Sequence, residues 1–304
     1  MNANFLTVLR KFTLPYEGGK VDNKKDPGGR TNQGVTQATF TSYLKRNGKA
    51  SRDVYTMTDA ERDDIYRYQY WNTVRGDDLP AGVDGAVFDA GVMSGPSRGI
   101  KWLQSALAYL GFYKGKVDGL VGVQTLDAAR TADAVKTVQR VCANRLGFVR
   151  SLVTLFKTFG KGWTSRITAC EAFCVKLALT GATAGAGAGG SAEVGQSNLP
   201  GIPAGPATPA PSPVSEALQN EASSAEAAAG REAKKSTAAA GGGAVSGGTS
   251  QTDVPDVTSG TDAHTLRIVL IVIAVVLISA AAVFAWRWYV NKQRAAAYAK
   301  EAKT

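Results

Sequence analysis

The chain has 304 residues, with 35 Lys and Arg against 25 Asp and Glu, and a formal net charge of +10 at pH 7. This excess lies in residues 1–180, and such a basic surface favours a polyanionic partner, which leaves nucleic acid, anionic lipid and anionic cell wall open. The single histidine, His264, falls in a low-complexity stretch, which excludes His-dependent triads and His-rich zinc sites from the N-terminal part.

An amphipathic helix is predicted at the N-terminus, where apolar side chains recur at i, i+3, i+4 and i+7 from Phe5. This segment lacks the long apolar run of a cleavable signal peptide. Pro15 is expected to end the helix, because proline cannot donate a backbone hydrogen bond. Glu17 then follows within one turn and is succeeded at once by Gly18 and Gly19.

Residues 18–35 carry five glycines and a proline, and we expect a β-hairpin or a pair of turns there. Asp26 lies in the second of these turns. Two acids on tight turns beside one helix end suit cleavage of a glycosidic bond, which needs a carboxylic acid to protonate the leaving oxygen. The alternative is a surface turn with incidental acids.

The residues around this turn can be given provisional roles. Glu17 is the candidate general acid, and Asp26 the candidate second acid, with Asp22 a weaker choice. Gly18 and Gly19 leave room for a sugar to approach the backbone. The candidates for orienting a water molecule are Thr31 and Thr36, and Trp71 is a candidate substrate contact, although a place in the core is favoured for its ring.

The following elements are mostly helical. Thr36 can cap a helix over residues 37–47, and Thr58 begins a capping box with Glu61 that opens a helix reaching about Trp71. Further helices are predicted over residues 79–93, 97–110 and 123–133, with two or three more in 134–179. The three cysteines are expected to be buried free thiols, with a bridge from Cys142 as the alternative; they are Cys142, Cys170 and Cys174.

The C-terminal part has a different character. Residues 181–264 are rich in Gly, Ala, Ser and Pro and are predicted to form a disordered linker, which as a flexible coil would span about 50 Å. Residues 268–285 contain only Ser279 as a polar side chain, and ~27 Å of helix is enough to cross a hydrocarbon core. Aromatic and then basic residues follow, so a single transmembrane helix over 265–290 with a short basic tail at 291–304 is expected.

Several motifs resemble one known family in the same order along the chain. The segment from Glu17-Gly-Gly through Asp26-Pro-Gly-Gly-Arg-Thr-Asn-Gln-Gly-Val-Thr36 closely resembles the opening motif of glycoside hydrolase family 108, which contains N-acetylmuramidases of lysozyme-like fold. Downstream motifs resemble the linking segment of that family and its companion peptidoglycan-binding region. They are Tyr70-Trp71-Asn72, Leu79–Asp84, Phe88–Pro96, Leu103-Gln104, Val117–Thr125 and Gly162-Trp163 with Arg166.

The resemblance implies a mainly α, lysozyme-like α+β fold with a small β-hairpin element. It implies a lysozyme-like muramidase domain over residues 1–78, with a helical peptidoglycan-binding region over 79–180 packed on it. It also implies Glu17 as the catalytic acid, whereas the second acid departs from the phage-lysozyme pattern, since Asn32 stands where those enzymes place a threonine. No metal, organic cofactor or nucleic acid is implied.

The expected function is therefore hydrolysis of the β-1,4 bond between N-acetylmuramic acid and N-acetylglucosamine in peptidoglycan, by an enzyme tethered to a membrane. The alternatives are a non-catalytic wall-binding anchor and a lytic transglycosylase. The excess of basic residues after the apolar stretch favours a cytoplasmic C-terminus and a catalytic part on the periplasmic side of a bacterial inner membrane. A phage-encoded lysis protein, a virion component and a secretion-linked wall remodeller remain open.

Overall fold

The computed structural model describes residues 4–22, 30–187, 220, 223–232 and 263–304, with the side chains of 182–187 and 263–280 left out of that description. The chain divides into two compact units, Met1–Leu218 with Glu301–Thr304, and Gln219–Lys300. The described parts of the predicted muramidase domain and peptidoglycan-binding region therefore share one unit. Most of the predicted linker, residues 181–264, lies outside the described residues.

The N-terminal helical run extends past the proline that was expected to end it. Helix α1 (Asn4–Val8) continues through a π-helical turn, Leu9–Thr13, into α2 (Leu14–Glu17). The N–H of Leu14 donates to the Leu9 carbonyl, which widens the turn just before Pro15. Pro15 then stands in the first turn of α2, where its missing N–H costs nothing. The helix consequently carries Glu17 as its last residue.

A small antiparallel sheet follows Glu17, which confirms the expected β element and adds a third strand to it. Strand β1 (Lys20–Asp22) pairs with β2 (Arg30–Asn32), and β2 pairs with β3 (Val35–Thr36). The turn between β2 and β3 contains Gln33 and Gly34, both with positive φ, at 49° and 78°. This turn brings the backbone of Gly34 back to the end of α2.

Two predicted helix starts are confirmed by their caps. The Thr36 hydroxyl accepts a hydrogen bond from the Thr39 N–H at the start of α3 (Gln37–Arg46). Thr58 and Glu61 form the expected capping box at the start of α4 (Asp59–Tyr66). A second π-helical turn, Arg67–Trp71, follows α4, and short 3₁₀ turns cover Val54–Thr56 and Gly76–Asp78.

The larger helices build the core around one central helix. They are α5 (Val83–Ser94), α6 (Pro96–Tyr109), α7 (Val123–Thr131), α8 (Ala134–Ser151) and α9 (Val153–Gly187). Helix α5 is apolar on all sides and packs against α1, α6, α8 and α9. The close approach of α5 and α6 depends on Gly99, where a Cβ atom would lie 2.9 Å from the Val87 carbonyl oxygen.

The loop before α7 is organised by a buried glutamine. Gln104 donates from Nε2 to Asp118 Oδ1 at 2.9 Å and accepts from the Gly119 N–H at 2.9 Å. Gly119 has a φ of +85°, and Asp118 also accepts from the Leu120 N–H. Asp118 and Gly119 therefore have the turn-forming role that this residue pair favours.

All three cysteines are buried free thiols, as expected from their spacing. The sulfur atoms of Cys170 and Cys174, one helical turn apart on α9, lie 3.9 Å from each other.

The residues of the second unit that the structure describes include two helices, α10 (223–232) and α11 (Ala263–Glu301), the last residue of which is assigned to the first unit. Among the residues whose side chains the structure describes, no helix is long and apolar enough to cross a membrane. Most of the predicted span, residues 268–280, lies outside that set, so the transmembrane helix stays a prediction.

Glu61 joins the capping box of α4 to two basic side chains. Arg52 donates to both carboxylate oxygens at 2.5 and 2.6 Å, and Lys49 donates to one of them at 3.2 Å. The Glu61 side chain is only 8% exposed. Burial opposes its charged form, but the hydrogen bonds from Arg52, Lys49 and Thr58 outweigh burial and lower the pKa of Glu61 from 4.5 to about 2.

A carboxylate whose pKa is lowered in the folded state stabilises the fold when the pH is above its unfolded-state pKa. This stabilisation is lost as the pH falls to its folded-state pKa. We therefore expect about 3 kcal/mol of stability from Glu61 at neutral pH, lost between pH 4.5 and about 2. Urea unfolding of the wild type and of Glu61→Gln between pH 4.5 and about 2 measures this pH-dependent contribution to stability. The two free energies of unfolding should converge at the acid end, and a constant gap would contradict the assignment.

Candidate active site

Glu17 lies at the end of α2, with Gly18 next to it in the chain and Gly34 facing its side chain. Gly18 follows with a φ of +74°, and a Cβ atom built on Gly18 or Gly19 would meet no other atom within 4 Å. On the other side, a Cβ atom on Gly34 would lie 3.1 Å from Glu17 Oε2. The Glu17 side chain is 19% exposed. It is therefore partly exposed, and the backbone next to it at Gly18 and Gly19 is open.

One carboxylate oxygen of Glu17 is held by an arginine from the far end of the unit. Arg166 Nη2 on α9 donates to Glu17 Oε1 at 2.7 Å and to Asp89 Oδ1 at 2.9 Å. The Arg166 guanidinium also lies 5.4 Å from the centre of the Tyr16 ring. Arg166 thus holds Oε1, whereas Oε2 is the oxygen that faces Gly34.

Asp89 anchors this arginine from inside the core. Its side chain is fully buried, and its second oxygen, Oδ2, accepts from Arg145 Nη2 on α8 at 2.8 Å. The Thr13 hydroxyl donates to Oδ1 at 3.2 Å. Two arginines thus share one buried carboxylate, and the network ties α2, α5, α8 and α9 to the Glu17 side chain.

Burial and charge act against each other in this network. Burial favours the neutral form of Asp89, but the charges of Arg166 and Arg145 outweigh it and hold the pKa of Asp89 below its usual value. For the two guanidinium groups, burial is likewise outweighed, chiefly by the negative charge of Asp89, so the pKa of Arg145 and that of Arg166 are raised. Asp89, Arg145 and Arg166 are therefore charged at neutral pH.

Two tyrosines, one in α4 and one in the π-helical turn after it, lie near the Glu17 carboxylate. The Tyr66 hydroxyl donates to the Gln33 carbonyl at 2.9 Å and so fixes the turn that carries Gly34. Burial, followed by the negative charge of Glu17, raises the pKa of Tyr66 and that of Tyr70. Both phenols therefore remain neutral hydrogen-bonding groups near the carboxylate.

The other residues predicted from the sequence fall in different places. Thr31 lies in β2 opposite Val21 and Thr36, and the Thr36 hydroxyl is engaged in capping α3. Asp26 lies outside the described residues. Asp22, the weaker choice for a second acid, accepts from Arg30 Nε at 3.3 Å on the exposed side of the sheet.

The candidate substrate contact at Trp71 is not supported by the structure, which places the ring in the core, as the sequence favoured. Its ring is fully buried, with Nε1 donating to Asp77 Oδ1 at 2.9 Å. Phe5 and Phe88 pack against it at 5.3 and 5.4 Å between ring centres. Because no face of the indole is open, Trp71 stabilises the core instead of binding a sugar.

The roles of Arg166 and Asp89 were not predicted from the sequence. Both occur in motifs that carry the family resemblance, but 77 positions separate them from each other and 149 separate Arg166 from Glu17. The available signal was a charged residue inside an otherwise apolar helical pattern, as with Asp89 in α5, since a buried charge requires a partner.

The part of the chain that carries this geometry also matches a known protein family. Residues 10–95, which contain Glu17, the sheet and Asp89, match the family model for Glycosyl hydrolase 108. Residues 10–95 therefore carry the match to glycosyl hydrolase family 108. The protein is accordingly a glycoside hydrolase of the muramidase class, with peptidoglycan as its substrate.

A solved structure, "Structure of Brucella abortus SagA", shares 38% sequence identity with the chain, over 59% of this chain and 97% of the other. The TM-score is 0.49. No curated protein matches the chain.

Proposed function

We propose that Glu17 is the general acid of a membrane-tethered N-acetylmuramidase that cleaves the β-1,4 bond between N-acetylmuramic acid and N-acetylglucosamine. The observation that carries this proposal is the partly exposed Glu17 carboxylate beside an open glycine backbone, with Oε1 held by Arg166 and Oε2 toward Gly34. A positioned carboxylic acid is what departure of the glycosidic oxygen requires.

In the proposed reaction, the Glu17 carboxylic acid gives its proton to the oxygen that leaves with N-acetylglucosamine. The bond between this oxygen and C1 of N-acetylmuramic acid breaks, and the hydroxyl of a water molecule bonds to C1. The other proton of that water replaces the one that Glu17 gave up. Arg166 keeps the acid in place, while Gly18 and Gly19 let the sugar approach the backbone. Asp26 remains the proposed second acid on the grounds of its spacing from Glu17 alone, and Thr31 remains a candidate for orienting a water molecule.

The products decide between this reaction and the alternative of a lytic transglycosylase, which also needs only one acid. Mass spectrometry of digested peptidoglycan should find N-acetylmuramic acid at the new reducing ends. Recovery of 1,6-anhydro-muramic acid would show transglycosylation, and reducing-end N-acetylglucosamine would show cleavage of the other glycosidic bond in the strand. Either result would overturn the proposed bond specificity.

We propose that residues 268–285 anchor the enzyme in the inner membrane with the catalytic unit on the wall side. The support is the uninterrupted apolar sequence, followed by Trp286, Trp288 and Tyr289 and then by basic residues. The net charge of +10 would draw the catalytic part to the anionic wall. A reporter enzyme active only in the periplasm should report activity when fused to the N-terminus and none when fused to the C-terminus; the reverse pattern would refute this topology.

A further inference from the structure

Three cysteine side chains meet between α8 and α9, and the catalytic site described above does not use their thiols. Cys142 is on α8, whereas Cys170 and Cys174 lie one turn apart on α9, and all three side chains are fully buried. Cys170 is the central sulfur. Cys174 Sγ lies 3.9 Å from it on the same helix, and the Cys142 thiol donates a hydrogen bond to it from the other helix. The three thiols therefore form one contiguous cluster, and neighbouring thiols are the starting point of a disulfide.

Helix geometry decides which two of these sulfurs can be joined. A disulfide needs its two Cβ atoms about 3.5–4.5 Å apart. Residues four apart on a helix hold their Cβ atoms about 5–6 Å apart, so a bridge between Cys170 and Cys174 would require α9 to unwind. Cys142 meets Cys170 from a separate helix, so no helical repeat holds these two Cβ atoms apart. Cys142 and Cys170 are therefore the pair that can form a disulfide, and Cys174 stays a thiol.

The surroundings of Cys170 favour its thiolate form. Arg145, one turn beyond Cys142 on α8, donates from Nη1 to Cys170 Sγ at 3.4 Å. Hydrogen bonds from Cys142 and then from Cys174 lower the pKa of Cys170 and outweigh burial, which acts in the opposite direction. The pKa of Cys142 is raised, chiefly by the hydrogen bond that it gives to Cys170. Because the thiolate is the nucleophile in thiol–disulfide exchange, Cys170 attacks first and Cys142 second.

We propose that Cys142 and Cys170 are a redox pair, which an external small-molecule or protein disulfide converts to a bridge between α8 and α9. The Cys170 thiolate attacks the external disulfide and bonds to one of its sulfurs, which releases the first external thiol. Cys142 then attacks the Cys170 sulfur of this mixed disulfide, and its proton leaves with the second external thiol. Two protein thiols are thereby oxidised by two electrons, and one external disulfide is reduced to two thiols.

The bridge joins the two helices that carry the arginines of the buried network. Arg145 on α8 and Arg166 on α9 both donate to Asp89. A link from position 142 to position 170 restricts the unfolded chain and so stabilises the packed helices. Its formation requires an oxidising compartment, such as the wall side under the proposed topology, whereas a reducing cytoplasm keeps both thiols free. The pair does not depend on the proposed role of Glu17, which hydrolysis assays test separately.

The test refolds the full chain from urea in detergent with oxidised glutathione, because the buried sulfurs react only while α8 and α9 are apart. The remaining free thiols are then blocked with iodoacetamide. Protease digestion and mass spectrometry should recover the peptide of Cys142 joined to that of Cys170, with Cys174 alkylated. The oxidised protein should also melt about 5–10 °C above its own reduced form.

Cys174→Ser is the matched control, since it alters a buried thiol of the same cluster and should keep both the linked peptide and the difference in melting temperature. Cys142→Ser and Cys170→Ser should each lose that difference. Every variant is compared with its own reduced form, so that a packing defect caused by the serine cancels. The wild-type mass spectrum decides the pairing even where a serine variant fails to fold. Three alkylated cysteines, or a bridge to Cys174, would overturn the proposed pair.

Discussion

Replacing Glu17 with glutamine should reduce hydrolysis of peptidoglycan by about 10²- to 10⁴-fold, the usual contribution of a general acid. Glutamine keeps the size of the side chain and a carbonyl oxygen that can accept from Arg166, so the site retains its shape. It cannot release a proton to the leaving oxygen. Arg166 also keeps its hydrogen bond to Asp89, which holds the guanidinium in place without the Glu17 charge.

Turbidity loss of sacculi, together with release of soluble fragments, measures this effect. The control is Glu226→Gln, which makes the same chemical change at an exposed glutamate of α10, in the other compact unit. Thermal unfolding should show that both variants are folded. A Glu17→Gln protein that clears sacculi as fast as the control would remove Glu17 from the mechanism.

Replacing Asp89 with asparagine should lower the free energy of unfolding by about 3–5 kcal/mol, the cost of leaving a buried charge without its partner. Arg145 is 1% exposed and Arg166 is 11% exposed, so neither guanidinium can regain full hydration in the folded state. Activity should fall as well, because Arg166 loses the anchor that positions it on Glu17.

Urea unfolding measures this loss, and Asp127→Asn is its matched control. Asp127 pairs with Arg130 at 3.7 Å with both side chains more than half exposed, so its removal should cost less than about 1 kcal/mol. The pKa of Asp89 is lowered, so its stabilising effect is present above the unfolded value of 3.8 and declines as the pH falls below that value. Equal unfolding midpoints for the Asp89→Asn variant and the wild type would contradict the proposed anchoring.

Much of the secondary structure could be predicted because its signals are local. The caps at Thr36 and Thr58 lie within three residues of the N–H groups that they satisfy, and the break between α5 and α6 is encoded by Gly95 and Pro96. The prediction that the first helix ends at Pro15 was wrong. A π-helical turn precedes the proline, which then stands in the first turn of α2. That turn has no separate sequence signal, since packing of the helix against the core selects it.

The sequence by itself singled out Glu17 as the candidate acid, since a glutamate followed by two glycines and a second turn is a contiguous pattern. The motifs in order indicated the family. Only the tertiary structure decided what surrounds Glu17. Arg166, Asp89 and Arg145 come from three helices, and helical periodicity gives the face of each residue but not the partner across the core. The sequence favoured the core for the Trp71 ring, but not its partners there, Phe5 and Phe88, which helix packing alone brings to it.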